Sequence, residues 1–199
     1  HSRRCTSTTR WSVNSFIASN DERAANKYLS DFSQLMRSVL ENSDEDFIPL
    51  KKEIELLELY TKLEHFRFQD KFDYNLTVDD AIVVDDYVIP PMLLQPYIEN
   101  AVWHGLRYKL EKGHLSIHIQ KKSDSEITIT ISDNGIGRAR SIALKTENQK
   151  KQNSKGMGNI KKRVAILNAM YKDKVEVFVS DYQEGEDVGT KVVVTLRKD

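Results

Sequence analysis

Before residue 70, hydrophobic residues recur at three- and four-residue spacing. From Asn20 or Asp21, either of which can cap a helix, one apolar face continues for about 20 residues. The acidic turn NSDED ends this helix, and Pro49 suits the first position of a second one whose apolar stripe reaches about Phe68. Two long helices joined by a short turn predict an α-helical hairpin over residues 12–70.

After residue 71 the spacing changes to alternation. Polar and apolar residues alternate in FDYNLTV, in HLSIHIQ and in EITITIS, and the last two runs are separated by the turn-forming KKSDS. IPPMLLQPYIENAVWHGL predicts a helix with Pro90 and Pro91 at its start and Pro96 in or just past the first turn.

The remaining segments complete a mixed domain. Residues 138–155 are polar, basic and without period, which predicts a mobile loop; a short helix follows from Gly156 to about Tyr171, and strands follow near 174–180 and 190–197. Residues 71–199 are therefore expected to form an α+β domain. Its architecture is a two-layer sandwich of a mixed, mostly antiparallel sheet with helices on one face, preceded by the hairpin.

Composition restricts the function classes. The 199 residues carry 30 Lys+Arg and 30 Asp+Glu, so the net charge is zero, which argues against wholesale binding to nucleic acid or to an anionic membrane. The single cysteine, Cys5, excludes an internal disulfide framework and a cysteine-based zinc site and fits a reducing cytoplasm. Residues 1–11 have no apolar period and are expected to be a disordered leader or a tag-like addition.

The zero total is a sum of opposite charges. Residues 41–86 carry 14 acidic and 5 basic side chains, net −9, whereas residues 138–163 carry 9 basic and 1 acidic, net +8. The basic stretch suits a triphosphate, and the acidic stretch could receive a regulator or a sister subunit.

The first candidate for chemistry is a polar face on the helix near residue 100. Asn100 and His104 lie four residues apart and share that face, and Glu99 adjoins them. An amide oxygen can enter the oxygen shell of Mg²⁺, and an imidazole one turn away can reach a phosphate. The alternative is that these are ordinary polar positions.

The second candidate, Asp133-Asn134-Gly135-Ile136-Gly137, directly follows a strand. A carboxylate at a strand end can accept the exocyclic amine of adenine, and the glycines allow backbone to approach a flat ring. The alternative is an Asn-Gly hairpin turn, but no alternating partner strand follows Gly137.

Two further glycine motifs follow in the chain. Gly156 and Gly158 open a helix that begins with basic residues, where free N–H groups and the helix dipole favour an anion, although a flexible loop before a capped helix explains them as well. Gly189 and Thr190 open the last strand; the hydroxyl could bind a base nitrogen through water, or Thr190 could simply favour a strand. It is the order and joint occurrence of the four motifs that favour a nucleotide site.

These residues resemble the Bergerat ATP-binding domain of ATP-dependent chaperones, type II topoisomerases, mismatch-repair ATPases and histidine kinases. IPPMLLQPYIENAVWHG is similar to the N-box, the asparagine-bearing helix, of bacterial sensor histidine kinases of the LytS/YehU type, and the resemblance covers about residues 12–197. It implies the cytoplasmic end of a membrane-anchored kinase, in a bacterial inner membrane, with ATP and a response regulator as partners and a homodimer as the assembly.

The resemblance also implies roles for individual residues. Asn100 would be the Mg²⁺ ligand, with Glu99 and His104 near the phosphates. Asp133 would bind the adenine amine. The remaining implied positions are Gly135 and Gly137 at the base, Gly156 and Gly158 at the phosphates and lid, and Thr190 in the adenine water network.

One expected motif is missing. The family's acceptor histidine stands in an Asn-Pro-His-Phe-type box shortly before a stretch like SVNSFI, and the matching position here is near Arg4, where no such box occurs. The sequence therefore predicts a kinase core without its phosphoacceptor.

Two alternatives remain open. A nucleotide switch of the chaperone or topoisomerase sort would place an acidic base one turn before Asn100, where this chain has Pro96. The other alternative is a non-catalytic dimerising module with a vestigial site.

Overall fold

The computed structural model describes residues 22–68, 71–144, 158, 162, 164–170, 174–184 and 187–198. Helix α1 spans Glu22–Glu41 and helix α2 spans Leu50–Arg67. Tyr28 of α1 lies 6.2 Å from Phe66 of α2 between ring centroids, and Lys62 pairs with Asp31 at 2.6 Å. The two helices thus form the predicted hairpin, and the leader predicted for residues 1–11 lies outside the described residues.

In the described part of the chain, five strands form one sheet. They are β2 (Phe72–Val78), β4 (Gly113–Lys121), β5 (Glu126–Asp133), β6 (Val175–Glu184) and β7 (Asp187–Arg197). Their order is β2-β4-β5-β7-β6, with β2 parallel to β4 and the other neighbours antiparallel. The parallel pair is possible because the chain between β2 and β4 crosses over through a helical segment.

The core lies on one face of this sheet. Ile117, Ile129 and Val194 occupy neighbouring strands and are fully buried, because alternate residues of a strand point to the same face. Burying each such side chain contributes about 1.5–3 kcal/mol. The opposite face carries polar residues, among them His118, whose Nδ1 lies 2.6 Å from the Thr77 hydroxyl. The prediction of an α+β sandwich with helices on one face is confirmed.

The second hairpin helix belongs to the same core as the sheet. Leu50 and Leu57 of α2 are buried in one hydrophobic cluster with Phe72 of β2 and Leu94. A two-residue ladder, β1 (Ile48–Pro49) with β3 (Val88–Ile89), also ties the start of α2 to the chain beyond β2. The boundary near residue 70 is therefore crossed by continuous packing, and the division into two domains remains a prediction.

Two local predictions were wrong. The helix expected from Pro90 begins instead at Gln95: α3 spans Gln95–Asn100 and continues as a π-helix over Ala101–Gly105 and a 3₁₀ turn over Leu106–Tyr108. Pro90 and Pro91 precede it, and Pro96 lies in its first turn, where its missing N–H costs little.

The loop expected from residue 138 begins as a helix. Helix α4 spans Gly137–Ala143, with Arg138 Nε donating to Asp181 Oδ1 of β6 at 2.6 Å. Residues 145–155 of the predicted loop lie outside the described residues. Residues 164–170 are helical, as predicted for the segment after Gly156, and we label them α5.

Candidate functional site

A buried carboxylate marks the end of strand β5. The residues of β5 that face the core are Ile127, Ile129, Ile131 and finally Asp133, which is 4% exposed. Asp133 therefore occupies the last core-facing position of a hydrophobic row. A charge at such a position is costly unless hydrogen bonds compensate it.

Those hydrogen bonds come from two neighbouring segments. The backbone N–H of Gly135 donates to Asp133 Oδ1 at 3.0 Å. Thr190, paired opposite Asp133 on β7, donates to the carboxylate with its backbone N–H and its hydroxyl. Burial raises the pKa of Asp133 to about 7, although these donors and the nearby positive charge of Lys109 act in the opposite direction.

Three glycines pack against Asp133, two beside its carboxylate and one against its backbone; we call Gly105, Gly135 and Gly189 the glycine cluster. A Cβ on Gly105 would stand 2.8 Å from Asp133 Oδ1, and one on Gly135 would stand 2.6 Å from the Cα of Gly105. A Cβ on Gly189 would overlap the backbone oxygen of Asp133. The absence of side chains thus lets three backbone segments close around Asp133.

Asn134 and Gly137 direct the chain away from the sheet. Asn134 Oδ1 accepts the backbone N–H of His114 at 2.6 Å, and the Asn134 N–H donates to the His114 carbonyl at 3.2 Å. Gly137 has φ +74°, a left-handed conformation that favours glycine, and α4 begins there. Asn134-Gly135 is therefore not a hairpin turn, and it links β5 to a helix.

Asn100, Glu99 and His104 lie on the helical run that ends at Gly105. Glu99 and Asn100 close α3, and His104 lies in the π-helix, where the Leu106 N–H reaches the Ala101 carbonyl five residues back. All three side chains are partly exposed. Because Gly105 packs on Gly135, this run and Asp133 are brought to one place in the fold.

A second buried acid lies behind the asparagine helix. Glu64 of α2 is 7% exposed, accepts a hydrogen bond from the Trp103 side chain, and leaves its Oε2 without a hydrogen-bond partner. The Arg67 guanidinium stacks on Trp103 at 4.2 Å from the ring centroid. Burial raises the pKa of Glu64 to about 7, the Arg67 charge lowers it and the Glu99 charge raises it.

The structure brings together only part of the predicted site. Gly135 and Thr190 both contact Asp133. Gly137 lies two residues after Gly135, at the start of α4. Gly158 is helical and partly exposed, and Gly156 lies outside the described residues. Among the described residues, no group of three or more His, Cys, Asp or Glu side chains is arranged to hold a metal ion.

Two family models match the chain. The model described as "Histidine kinase" matches residues 11–72, and the model described as "Histidine kinase-, DNA gyrase B-, and HSP90-like ATPase" matches residues 90–199, which is more than half of the sequence. The chain belongs to the histidine kinase family. Its ATPase match includes every predicted site residue from Glu99 to Thr190.

Individual relatives agree with this assignment. The "Sensor protein LytS" of Oceanobacillus iheyensis is 36% identical over 153 residues, which cover 74% of this chain and 26% of that protein. The "Sensor histidine kinase/phosphatase LytS" of Staphylococcus aureus is 28% identical over 125 residues, covering 63% of this chain and 21% of the relative. The chain thus spans about a quarter or less of the length of these curated relatives.

Solved histidine kinases share the fold. The "Mycobacterial sensor histidine kinase MprB" aligns with a TM-score of 0.51 at 12% identity, covering 73% of this chain and 93% of that one. At this identity the likeness concerns the fold alone.

Several site residues were not identified from the sequence. The sequence pattern does not indicate the close approaches of Gly105 and Gly189 to Asp133, nor the burial of Glu64 beside Arg67. A glycine directly after a histidine inside a predicted helix was the one local signal available for Gly105, because glycine weakens a helix interior.

Proposed function

We propose that this chain is the ATP-binding catalytic part of a two-component sensor histidine kinase. Such a kinase transfers the γ-phosphoryl group of ATP to a histidine and then to a response regulator. The observation that carries the proposal is the buried Asp133 carboxylate with the glycine cluster around it. A carboxylate at the last core-facing position of an apolar strand adds little to packing, but it can accept the amine of a base.

In the proposed site, Asp133 and its neighbours would bind the adenine of ATP. The Gly135 N–H and Thr190 already donate to the carboxylate, which fixes its orientation, and Asp133 would accept the exocyclic amine of adenine. Thr190 would complete the polar contacts through water, and Gly135 and Gly137 would lie along the base. Guanine presents an oxygen at the place of that amine, so the carboxylate would repel it.

The helix that carries Asn100 would bind the phosphates of ATP. Its amide oxygen would hold Mg²⁺ together with phosphate oxygens, and this arrangement needs no cluster of acidic ligands; the described residues contain none. Glu99, His104, Gly156 and Gly158 would border the phosphates. Mg²⁺ supplies neutralisation of the charge on the γ-phosphoryl group when bound, and the chain contributes orientation.

Assembly and location follow from the same proposal. We infer a homodimer through the helical hairpin and a response regulator as the protein partner, with no nucleic-acid partner. We also infer the cytoplasmic side of a bacterial inner membrane as the location. None of the helices in the described part of the chain has the length and apolar composition to cross a membrane.

Phosphotransfer is tested in the natural protein to which these residues belong. Incubated with γ-labelled ATP and Mg²⁺, it is expected to acquire an acid-labile phosphohistidine. Asn100→Ala should abolish the label, and Asp73→Asn, which alters an exposed carboxylate on β2, should retain it. Continuous ATP hydrolysis without labelled protein, lost on Glu99→Gln, would instead support an ATP-driven switch.

A further inference from the structure

A carboxylate from the hairpin caps the helix that carries Asn100. Glu53 of α2 is 1% exposed, and its two oxygens accept the backbone N–H groups of Met92 at 2.9 Å and Leu94 at 3.2 Å. Leu94 is the N-cap residue of α3, and α3 has no side-chain cap of its own. Glu53 therefore binds, from outside the helix, the N–H of its N-cap residue and the N–H of Met92, two residues before that cap.

The segment in front of α3 needs this support. Pro90 and Pro91 have no N–H to donate, and Met92 has φ +58°, the one positive value at a non-glycine among the described residues. Such a conformation in a side-chain-bearing residue costs of order 1–3 kcal/mol and persists only when the surroundings hold it. Besides Glu53, the Leu93 N–H bonds to the Pro90 carbonyl at 3.2 Å.

The same end of α2 is attached to this segment at two further places. The Leu50 N–H donates to the Tyr87 carbonyl at 2.9 Å, and the β1–β3 ladder pairs Ile48 with Ile89. Backbone hydrogen bonds thus join the start of α2 to the chain leading into α3. Glu53 is the last of these attachments before the helix.

A single short helix connects the segment that Glu53 binds to Asn100. Asn100 is the final residue of α3, which spans six residues, and a six-residue helix is about 9 Å long. A tilt at Met92 and Leu94 would displace Asn100 with it. Asp133 takes its hydrogen bonds from Gly135 and Thr190, which lie outside α3, so Glu53 makes no bond to the groups that orient this carboxylate.

We propose that Glu53 is a positioning residue for Asn100: by capping α3 from the hairpin, it sets where the asparagine meets Mg²⁺ and the phosphates. The inference rests on the proposed function. It also makes the position of Asn100 depend on the hairpin, because Glu53 belongs to α2.

The test separates the two ends of the nucleotide. ATP affinity is measured by calorimetry with excess EDTA and again with saturating Mg²⁺, for the unchanged protein, for Glu53→Gln and for Glu55→Gln. Glu55 is an exposed acid on the same helix and serves as the matched control. Glutamine has the shape of glutamate, but its amide NH₂ would face one of the two N–H groups and cannot accept from it.

We expect Glu53→Gln to change the ATP affinity in EDTA by less than twofold. The factor by which Mg²⁺ increases the ATP affinity should fall at least fivefold in this variant, while Glu55→Gln should match the unchanged protein in both conditions. An unchanged increase of ATP affinity on adding Mg²⁺ would overturn the inference. An equal loss of ATP affinity with and without Mg²⁺ would also overturn it, because that result indicates a general structural defect. If Glu53→Gln does not fold, Glu53→Asp, which keeps the charge but is too short to reach both N–H groups, carries the same comparison. No ATP binding by the unchanged protein in either condition would remove the proposed function, and the inference with it.

Discussion

Gly105 and Gly135 meet backbone to backbone beside the carboxylate of Asp133. A Cβ on Gly135 would stand 2.5 Å from the carbonyl carbon of Gly105 and 2.6 Å from its Cα. The contact joins the asparagine-bearing helical run to the end of β5, and it exists because both residues lack a side chain. It is the link between the two halves of the proposed nucleotide site.

Gly135→Ala should therefore destabilise the protein, because the added methyl group meets backbone that cannot rotate away. Overpacking of this kind costs about 1–3 kcal/mol. Gly158→Ala is the control: a Cβ there has no neighbour within 4 Å, and Gly158 is helical, so the change should be neutral or stabilising by up to about 1 kcal/mol. Urea unfolding followed by circular dichroism measures both. Equal stabilities of the two variants would refute the close contact.

Gly189→Ala should have a larger effect on the sheet. Its Cβ would overlap the backbone oxygen of Asp133, so β7 would have to move away from β5. We expect a loss above about 3 kcal/mol, or no folded protein, since backbone cannot be repacked as a side chain can. Hydrogen exchange of the β5–β7 amides reports the damage directly. Unchanged protection of these amides in a folded variant would show that the two strands are not this close.

Stability should fall as the pH rises from about 4 to about 7. Burial raises the pKa of both Asp133 and Glu64 to about 7, so in this window the folded state binds more protons than the unfolded state. The free energy of unfolding then decreases with pH and levels off above the folded pKa values. Each group accounts for a decrease on the order of 3–4 kcal/mol, at about 1.4 kcal/mol for each unit of pKa shift.

Urea unfolding at a series of pH values tests this dependence. Glu64→Gln and Asp133→Asn should each flatten the curve, and Asp73→Asn, at an exposed site, should not. If the free energy of unfolding of the unchanged protein rises over this pH range, the pKa values of the buried Asp133 and Glu64 are not raised.

Periodicity revealed most of the fold because most elements have one buried face. The alternation of EITITIS follows directly from its core-facing isoleucines, and the row that they begin ends at Asp133. The same alternation could therefore point to Asp133 as an anomaly. Helix α4 was missed because it is short and basic, and its start depends on the backbone of Gly137 and the bond from Arg138 to Asp181.

Long-range contacts explain the remaining differences. Proline favours a first helical turn, so the sequence predicts that α3 begins at Pro90, yet Glu53, 39 residues before Met92, holds the segment in another conformation. Gly105 likewise gains its role from Gly135, far along the chain. No local pattern contains the partner of such a residue, so these parts of the site required the three-dimensional structure.

The most direct test of the account is nucleotide discrimination at Asp133. Calorimetric titration with Mg²⁺-ATP and Mg²⁺-GTP is compared for the unchanged protein, Asp133→Asn and the surface control Asp73→Asn. The account predicts that the unchanged protein and the control bind ATP more tightly than GTP, and that Asp133→Asn weakens ATP at least tenfold and GTP much less. Equal losses for the two nucleotides, or ATP binding unaffected by Asp133→Asn, would contradict it.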